Sequence, residues 1–236
     1  MSTFVLIHGG GDVGWYWHLV EAELRAQGHD VLAPDLPGDD ESQTLTDYAD
    51  HVVEVVGDRR DLVVVGHSFG AFTAPLVADR LPADVLVLMA GMIPTPGESP
   101  DEWWAGTGCQ TAVAEQAKRD GGLTGHADPY VSFYQDVPRE LAEEALSKER
   151  AHHPSRTASA APWPLAAWPD VPTRFVLSTE DRTFPPDFMR RLAADRLGIV
   201  PDEIPGSHCV ALSRPKPVAD LLVNYARAAS ATKTRQ

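Results

Sequence analysis

The sequence predicts an α/β fold, a three-layer α/β/α sandwich with about six mainly parallel strands and a helical cap insertion. Three observations carry that expectation. Apolar, β-branched runs of strand length recur along the chain, stretches with apolar residues at helical spacing separate them, and one long segment breaks the alternation. With 236 residues, 43% hydrophobic and 23% charged, the chain suits one domain of the larger kind and falls outside the disordered, collagenous and coiled-coil classes.

Taken in order, the first strand is Phe4 to Ile7, followed by Trp15, Leu19 and Leu24 at helical spacing. Val31 to Ala33 is the second strand, and Leu45, Tyr48, Val52 and Val55 mark the next helix. Leu62 to Val65 is the third, Phe72, Leu76 and Leu81 mark a helix, and Val85 to Met89 is the fourth strand. Parallel neighbours need a crossover, most readily a helix, so this order implies a parallel sheet covered on both faces. The pattern resumes with Phe175 to Leu177 as a fifth strand, a helix from Phe184 to Leu197 opened by Pro185-Pro186, and Asp202 to Ile204 as a short sixth strand. A last helix carries Val218, Leu221, Leu222 and Tyr225 on one face, with Pro215 and Pro217 at its start. Ala228 to Gln236 are small and polar, and are expected to form a frayed tail.

Between Met92 and Val171 the alternation lapses for about eighty residues, too long for a loop without structure of its own. Residues 1–94 and 166–236 are therefore expected to form the core and 95–165 a cap. Helices are expected at Thr111 to Arg119 and Arg139 to Arg150, between joints such as Pro94-Thr95-Pro96-Gly97 and Pro162-Trp163-Pro164. Trp103, Trp104, Trp163 and Trp168 in or beside this segment would either line a pocket or fill the cap's own small core.

The charge balance, 20 basic against 34 acidic residues, gives −14, and no Lys/Arg cluster offsets it. Such a surface repels phosphate backbones and anionic lipid, so neither nucleic acid nor membrane is an expected partner. Apolar runs fall far short of the roughly 20 residues that span a bilayer, and no basic stretch precedes Phe4 to Ile7, so a cytoplasmic location is expected. Cys109 and Cys209 are then expected as free thiols. His152-His153 has no carboxylate or cysteine at ligand spacing and reads as a surface pair, so no metal and no cofactor is expected.

The third strand runs into Gly66-His67-Ser68-Phe69-Gly70, and a helical pattern follows at once. A serine on a sharp strand-to-helix turn has its hydroxyl raised above the sheet, and flanking glycines let strand and helix approach closely. G-x-S-x-G alone arises by chance in roughly one chain of this length in ten. Its placement between strand and helix decides for a nucleophile, Ser68. A serine hydroxyl needs a base, and the base an orienting acid. His208, in Gly206-Ser207-His208-Cys209 just past the sixth strand, lies where a loop brings imidazole over Ser68. The remaining histidines, His8 and His67 among them, read as surface or packing residues. Asp181, directly after the fifth strand, is the candidate acid, with Glu180 as its neighbour and rival. For the oxyanion, His8-Gly9-Gly10-Gly11 closes the first strand, and the N–H groups of Gly10 and Phe69 are the candidate donors. No G-x-x-x-x-G-K-[ST] pattern accompanies that glycine run, which otherwise reads as a flexible turn. Cys209 reads as a pocket-wall residue.

The order Ser68, Asp181, His208 matches the α/β-hydrolase fold. In detail the chain resembles the plant-type methylesterase and hydroxynitrile lyase family with its bacterial relatives. The likeness rests on Leu6-Ile7-His8-Gly9 with Gly14-Trp15-Tyr16-Trp17, Gly28-His29-Asp30-Val31 leading to Pro34-Asp35-Leu36-Pro37-Gly38, Met92-Ile93-Pro94, Pro185-Pro186-Asp187-Phe188 and Leu212-Ser213-Arg214-Pro215. It extends over most of the chain but covers residues 95–165 poorly. Lyases of that family carry threonine at the position matching Gly9 and lysine at the one matching Cys209. The resemblance therefore implies ester cleavage, with a small ester or related acyl compound as substrate and an acyl-serine intermediate. Ser68 also excludes the aspartate-nucleophile members of the superfamily. Two other classes stay open: a lyase or cyclase acting on a biosynthetic intermediate, and a small-molecule receptor on the same scaffold. Substrate identity and assembly state are not set by the sequence, a homodimer being among the options.

Overall fold

The computed structural model describes residues 1–150 and 154–233. Six strands form one sheet: β1 (Thr3–Ile7), β2 (Asp30–Leu32), β3 (Leu62–His67), β4 (Ala83–Met89), β5 (Thr173–Ser178) and β6 (Asp202–Ile204). Their order is β2-β1-β3-β4-β5-β6, and all five pairings are parallel. The strands agree with the sequence pattern to within a few residues at each end. The chain runs outward from β1 to β2 and returns on the other side of β1 as β3. Ligands of open parallel sheets gather at such a reversal, outside the carboxyl ends of the strands.

A 3₁₀ turn (Gly14–Trp17) leads into α1 (His18–Ala26), and α2 (Leu45–Val56) and α3 (Gly70–Arg80) follow β2 and β3. The α2 start is a capping box in which the Thr44 side chain and Asp47 satisfy each other's backbone N–H groups. Leu81 lies outside α3, in extended conformation at its C-cap, because Pro82 disfavours helical backbone in the residue before it. Between β4 and β5 the chain forms α4 (Pro100–Gly106), α5 (Cys109–Arg119), α6 (Pro129–Ser132), α7 (Arg139–Lys148) and α8 (Arg156–Ala160). Only α5 and α7 were expected. Then come α9 (Pro186–Leu197), α10 (Val210–Ser213) and α11 (Pro215–Lys233).

The expected tail is a correction: α11 runs on through Ala228 to Lys233, with Thr234 to Gln236 outside the described residues. Alanine is the best helix former, and Lys233 reaches the carboxylate of buried Asp84, so the helix end is held against the body. His152-His153 also lie outside the described residues.

Strand residues alternate between two cores, as a period of two dictates. Val5, Ile7, Val64, Leu86, Phe175 and Leu177 face α2, α3 and α9. Phe4, Leu6, Val63, Val65, Val87 and Val176 face α1, α10 and α11. Among the described residues the segment between β4 and β5 builds no separate core, because Trp103 and Trp163 are fully buried in the first of these cores. Their indole N–H groups donate to the carbonyls of Ile93 (3.0 Å) and Phe72 (2.9 Å), which pins the segment to the ends of β4 and to α3. Arg196 of α9 adds a half-buried ion pair to Glu98 (2.8 Å).

Candidate active site

Three predicted residues arrive from three strand ends and meet. Ser68 has φ +49°, in the left-handed region that a residue with a side chain rarely adopts. The turn is fixed around it, since Ser68 N–H donates to Met89 O (3.2 Å) while Ser68 O accepts from Ala71 N–H (3.2 Å) and Met92 N–H (3.0 Å). Two glycines make the turn sterically open. A Cβ on Gly66 would stand 2.7 Å from Ala74 Cβ and from Gly70 O, and one on Gly70 would stand 2.4 Å from His8 O. Helix α3 can therefore seat its first residue against the end of β1 only because position 70 has no side chain.

The Ser68 hydroxyl donates to His208 Nε2 (3.0 Å), and His208 Nδ1–H donates to Asp181 Oδ2 (2.7 Å). His208 and Asp181 are buried, whereas Glu180 is exposed, with its backbone rather than its side chain bonded to the neighbouring loops. The second carboxylate oxygen of Asp181 accepts the N–H groups of Thr183 (2.7 Å) and Phe184 (2.9 Å), which holds the carboxylate in one orientation. The rings of Phe184 and Phe133 stand edge-on to the imidazole at 5.2 and 5.4 Å. Serine, histidine and carboxylate are thus linked in one chain that can pass a proton from hydroxyl to imidazole while the carboxylate steadies the cation that forms.

Two of the histidines read as packing residues do support this centre. His8 is buried between the Gly9 carbonyl at Nδ1 (2.9 Å) and the Leu36 N–H at Nε2 (3.0 Å). Burial pushes its pKa down to about 4, so it stays neutral, and it ties the glycine turn to the loop after β2. His67 is neutral for the same reason, its pKa driven well down by burial and by the neighbouring His208. It stacks on Tyr16 at 4.5 Å, and its Nε2 lies 3.0 Å from the backbone carbonyl of His208, so its ring N–H supports the loop that carries the imidazole.

Ser68 opens onto two cavities. One, of about 230 Å³, is bordered by Gly10 and Phe69 together with Met92, Trp104 and Phe184. Gly10 and Phe69 therefore stand beside the hydroxyl, Phe69 at the N-terminal end of α3, where backbone N–H groups and the helix dipole favour negative charge. Of the four tryptophans singled out in the sequence, Trp104 borders this cavity. The other cavity, of about 340 Å³, is walled by Asp12, Tyr134, Glu149, His208 and Cys209. Phe133 stands in both walls. Cys209 is thus a wall residue, and both cysteines are free and buried. Asp12, Tyr134 and Glu149 escaped sequence analysis. Asp12 is half-buried, and burial followed by the charge of Glu149 pushes its carboxyl up to about 7. A wider surface recess of about 430 Å³ beside Asp181 reaches neither Ser68 nor His208. Among the described residues no group of three or more His, Cys, Asp or Glu side chains is placed to hold a metal ion.

Comparison with known proteins adds the family. Residues 4–221 match the model of the alpha/beta hydrolase family. The chain belongs to that family. The hydrolase is similar to Methylesterase 7 of Arabidopsis thaliana, with 36% identity over 42% of this chain and 43% of that protein, less than half of either. It is also similar to alpha-hydroxynitrile lyase of Arabidopsis thaliana, at 25% identity over 93% of this chain and 95% of the other. An extracellular alpha/beta-hydrolase from a Paenibacillus species has the same fold, with a TM-score of 0.75 at 23% identity, covering 95% of this chain and 99% of the other.

Proposed function

We propose that this hydrolase cleaves a small ester or related acyl compound through an acyl-serine intermediate, using Ser68, His208 and Asp181 as its catalytic triad. The observation that carries the reading is the hydrogen-bonded chain from Ser68 Oγ through His208 to Asp181 at the mouth of two cavities. Ser68 Oγ adds to the acyl carbonyl carbon while its proton passes to His208 Nε2. The carbonyl oxygen becomes an oxyanion, held by the N–H groups of Gly10 and Phe69. When the tetrahedral species collapses, the bond to the leaving oxygen breaks, and that oxygen takes the proton from His208. Water then adds to the acyl-serine with His208 as base, releasing the acid and restoring the hydroxyl. Asp181 keeps the imidazole in the tautomer that can accept the serine proton.

Hydrolysis rather than lyase chemistry is supported by Gly9 and Cys209, which stand where the resemblance places the lyases' threonine and lysine. A Cβ on Gly9 would come to 3.1 Å from Ser68 Cβ, so a larger residue there would press on the nucleophile. Residues 95–165 act as the cap in this proposal, supplying Trp104 and Phe133 to the substrate cavities. No cofactor enters the reaction.

The test is hydrolysis of a chain-length series of p-nitrophenyl esters by the wild type and Ser68→Ala, with intact-mass detection of the acyl adduct. Cleavage and an adduct in the wild type, both lost in Ser68→Ala, are expected. Cleavage that survives in the variant, or a wild type that neither turns over nor acylates on any ester, overturns the mechanism.

A further inference from the structure

The two cavities beside Ser68 differ in chemistry. The smaller is walled largely by apolar and aromatic side chains, with exposed Asp101 on its border, whereas the larger presents two carboxylates, Asp12 and Glu149, with the Tyr134 hydroxyl donating to Glu149 (3.2 Å). Asp12 stands close to the reacting atom. A methyl group on Gly9 would touch Ser68 Cβ at 3.1 Å, His67 Nδ1 at 3.1 Å and Asp12 Oδ2 at 3.4 Å, so these three groups surround one small space. His67 Nδ1 has no hydrogen-bond partner among the described residues, although His67 is only 1% exposed and borders the same cavity. Among the described residues no Lys or Arg pairs with Asp12 or Glu149. The guanidinium of Arg150, next in sequence to Glu149, is turned to Asp35 (3.0 Å) and Asp39 (2.7 Å) instead.

Among the described residues the wall therefore presents carboxyl groups and hydrogen-bond acceptors with no Lys or Arg beside them. An anionic substrate would be repelled there, whereas a cation would favour the ionised form of Asp12 against the burial and the Glu149 charge that push its carboxyl up. A single ammonium charge can act on both carboxylates, since Glu149 stands near enough to Asp12 to push its carboxyl up. We propose that the larger cavity is a cation-binding subsite, and that the substrates of this hydrolase are acyl compounds with one apolar arm and one arm carrying an ammonium group. This specificity rests on the hydrolase mechanism proposed above. Glu149, exposed at the rim, would draw the cation in, and Asp12 would hold it beside Ser68.

The test uses two isosteric pairs, one with the charge on the leaving group and one with it on the acyl group. The first is butyrylthiocholine against S-(3,3-dimethylbutyl) thiobutyrate. The second is p-nitrophenyl 4-(trimethylammonio)butyrate against p-nitrophenyl 5,5-dimethylhexanoate. In the wild type kcat/KM is expected to favour the cationic member of at least one pair by about tenfold or more, and the preference should shrink as salt is added. The ratio between members of a pair is read in each variant, so a general loss of activity cancels. Asp12→Asn should bring it to within about threefold of unity, and Glu149→Gln, at an exposed position, should lower it part of the way. Ratios near unity for both pairs in the wild type, or a preference untouched by either variant, overturn the subsite. An uncharged fluorophosphonate separates the two proposals: adduct formation at Ser68 with no cation preference refutes the subsite alone. Failure of Ser68 to react with the fluorophosphonate or with any ester refutes the hydrolase mechanism beneath it.

Discussion

Asp181→Asn tests the geometry of the proposed triad at one atom. In the wild type one carboxylate oxygen faces His208 Nδ1 at 2.7 Å, while the other accepts two backbone N–H groups, from Thr183 at 2.7 Å and Phe184 at 2.9 Å. An asparagine has a single oxygen, and the two backbone donors claim it, since the reverse orientation would set an amide NH₂ against two N–H groups. The NH₂ must then face His208 Nδ1. That nitrogen becomes an acceptor, the ring proton moves to Nε2, and Nε2–H points at Ser68 Oγ, which it can no longer deprotonate. The expected loss in kcat is on the order of 10³ to 10⁴, as for a triad histidine held in the wrong tautomer. That corresponds to about 4 to 5.5 kcal/mol at about 1.36 kcal/mol per decade. The variant should still fold, because both backbone hydrogen bonds survive. The assay is steady-state kcat on p-nitrophenyl butyrate, with thermal unfolding to confirm the fold and Glu180→Gln as a control expected within about threefold of wild type. A loss under about tenfold in a folded Asp181→Asn protein would refute the argument.

Gly70→Ala would drive a Cβ to 2.4 Å from His8 O and 2.8 Å from Ile7 O, both backbone atoms. A cost of about 3 kcal/mol or more is expected, lowering Tm by roughly 6 °C or more, and an unchanged Tm would contradict the close approach. Asp12→Asn should alter how stability depends on pH. The folded carboxyl titrates near 7 against an ordinary 3.8, so between those values the folded state holds a proton the unfolded chain has lost. Stability therefore falls as pH rises through that window, and removing the carboxyl relieves the penalty. The Tm difference, variant minus wild type, should grow from pH 4 to pH 8, and a flat difference would exclude the raised pKa. Trp163→Phe leaves the Phe72 carbonyl without its indole donor inside the core. A loss of about 1 to 3 kcal/mol is expected from urea unfolding, and no change in midpoint would remove that hydrogen bond from the account.

Strands and the main helices were legible because each rests on a local pattern, apolar continuity for the buried strands and helical spacing for the long helices. Pro82, which ends α3 before Leu81, is equally local. The short helices α4, α6 and α8 lack enough turns for periodicity to speak, although Ser99 and Glu102, which form a capping box at the start of α4, were readable as a start signal. The end of α11 is not legible because its small, polar sequence does not reveal the partner, Asp84, that holds it. Ser68, Asp181 and His208 were legible because each follows a strand, and parallel strands deliver their following loops to one edge. Asp12, Tyr134 and Glu149 were not. Tyr134 and Glu149 come from a segment with no strand to aim them, so that only packing brings them to Ser68. Nor does spacing show that His8 and His67 are buried and neutral, which depends on what covers them.

The two thiols offer a consequence of a different kind. Cys109 lies in the core shared with α2, α3 and α9, and Cys209 in the core shared with α1, α10 and α11. Burial pushes the first thiol up to about 12 and the second well above its ordinary value, so the reactive thiolate is scarce at neutral pH. A thiol reagent then labels Cys109 only when its core opens, whereas Cys209 also borders the cavity beside Ser68. Cys109 is thus a chemical clock for the opening of one side of the interior, and Cys209 a reporter of the cavity, its labelling slowed when an acyl group fills the space beside Ser68.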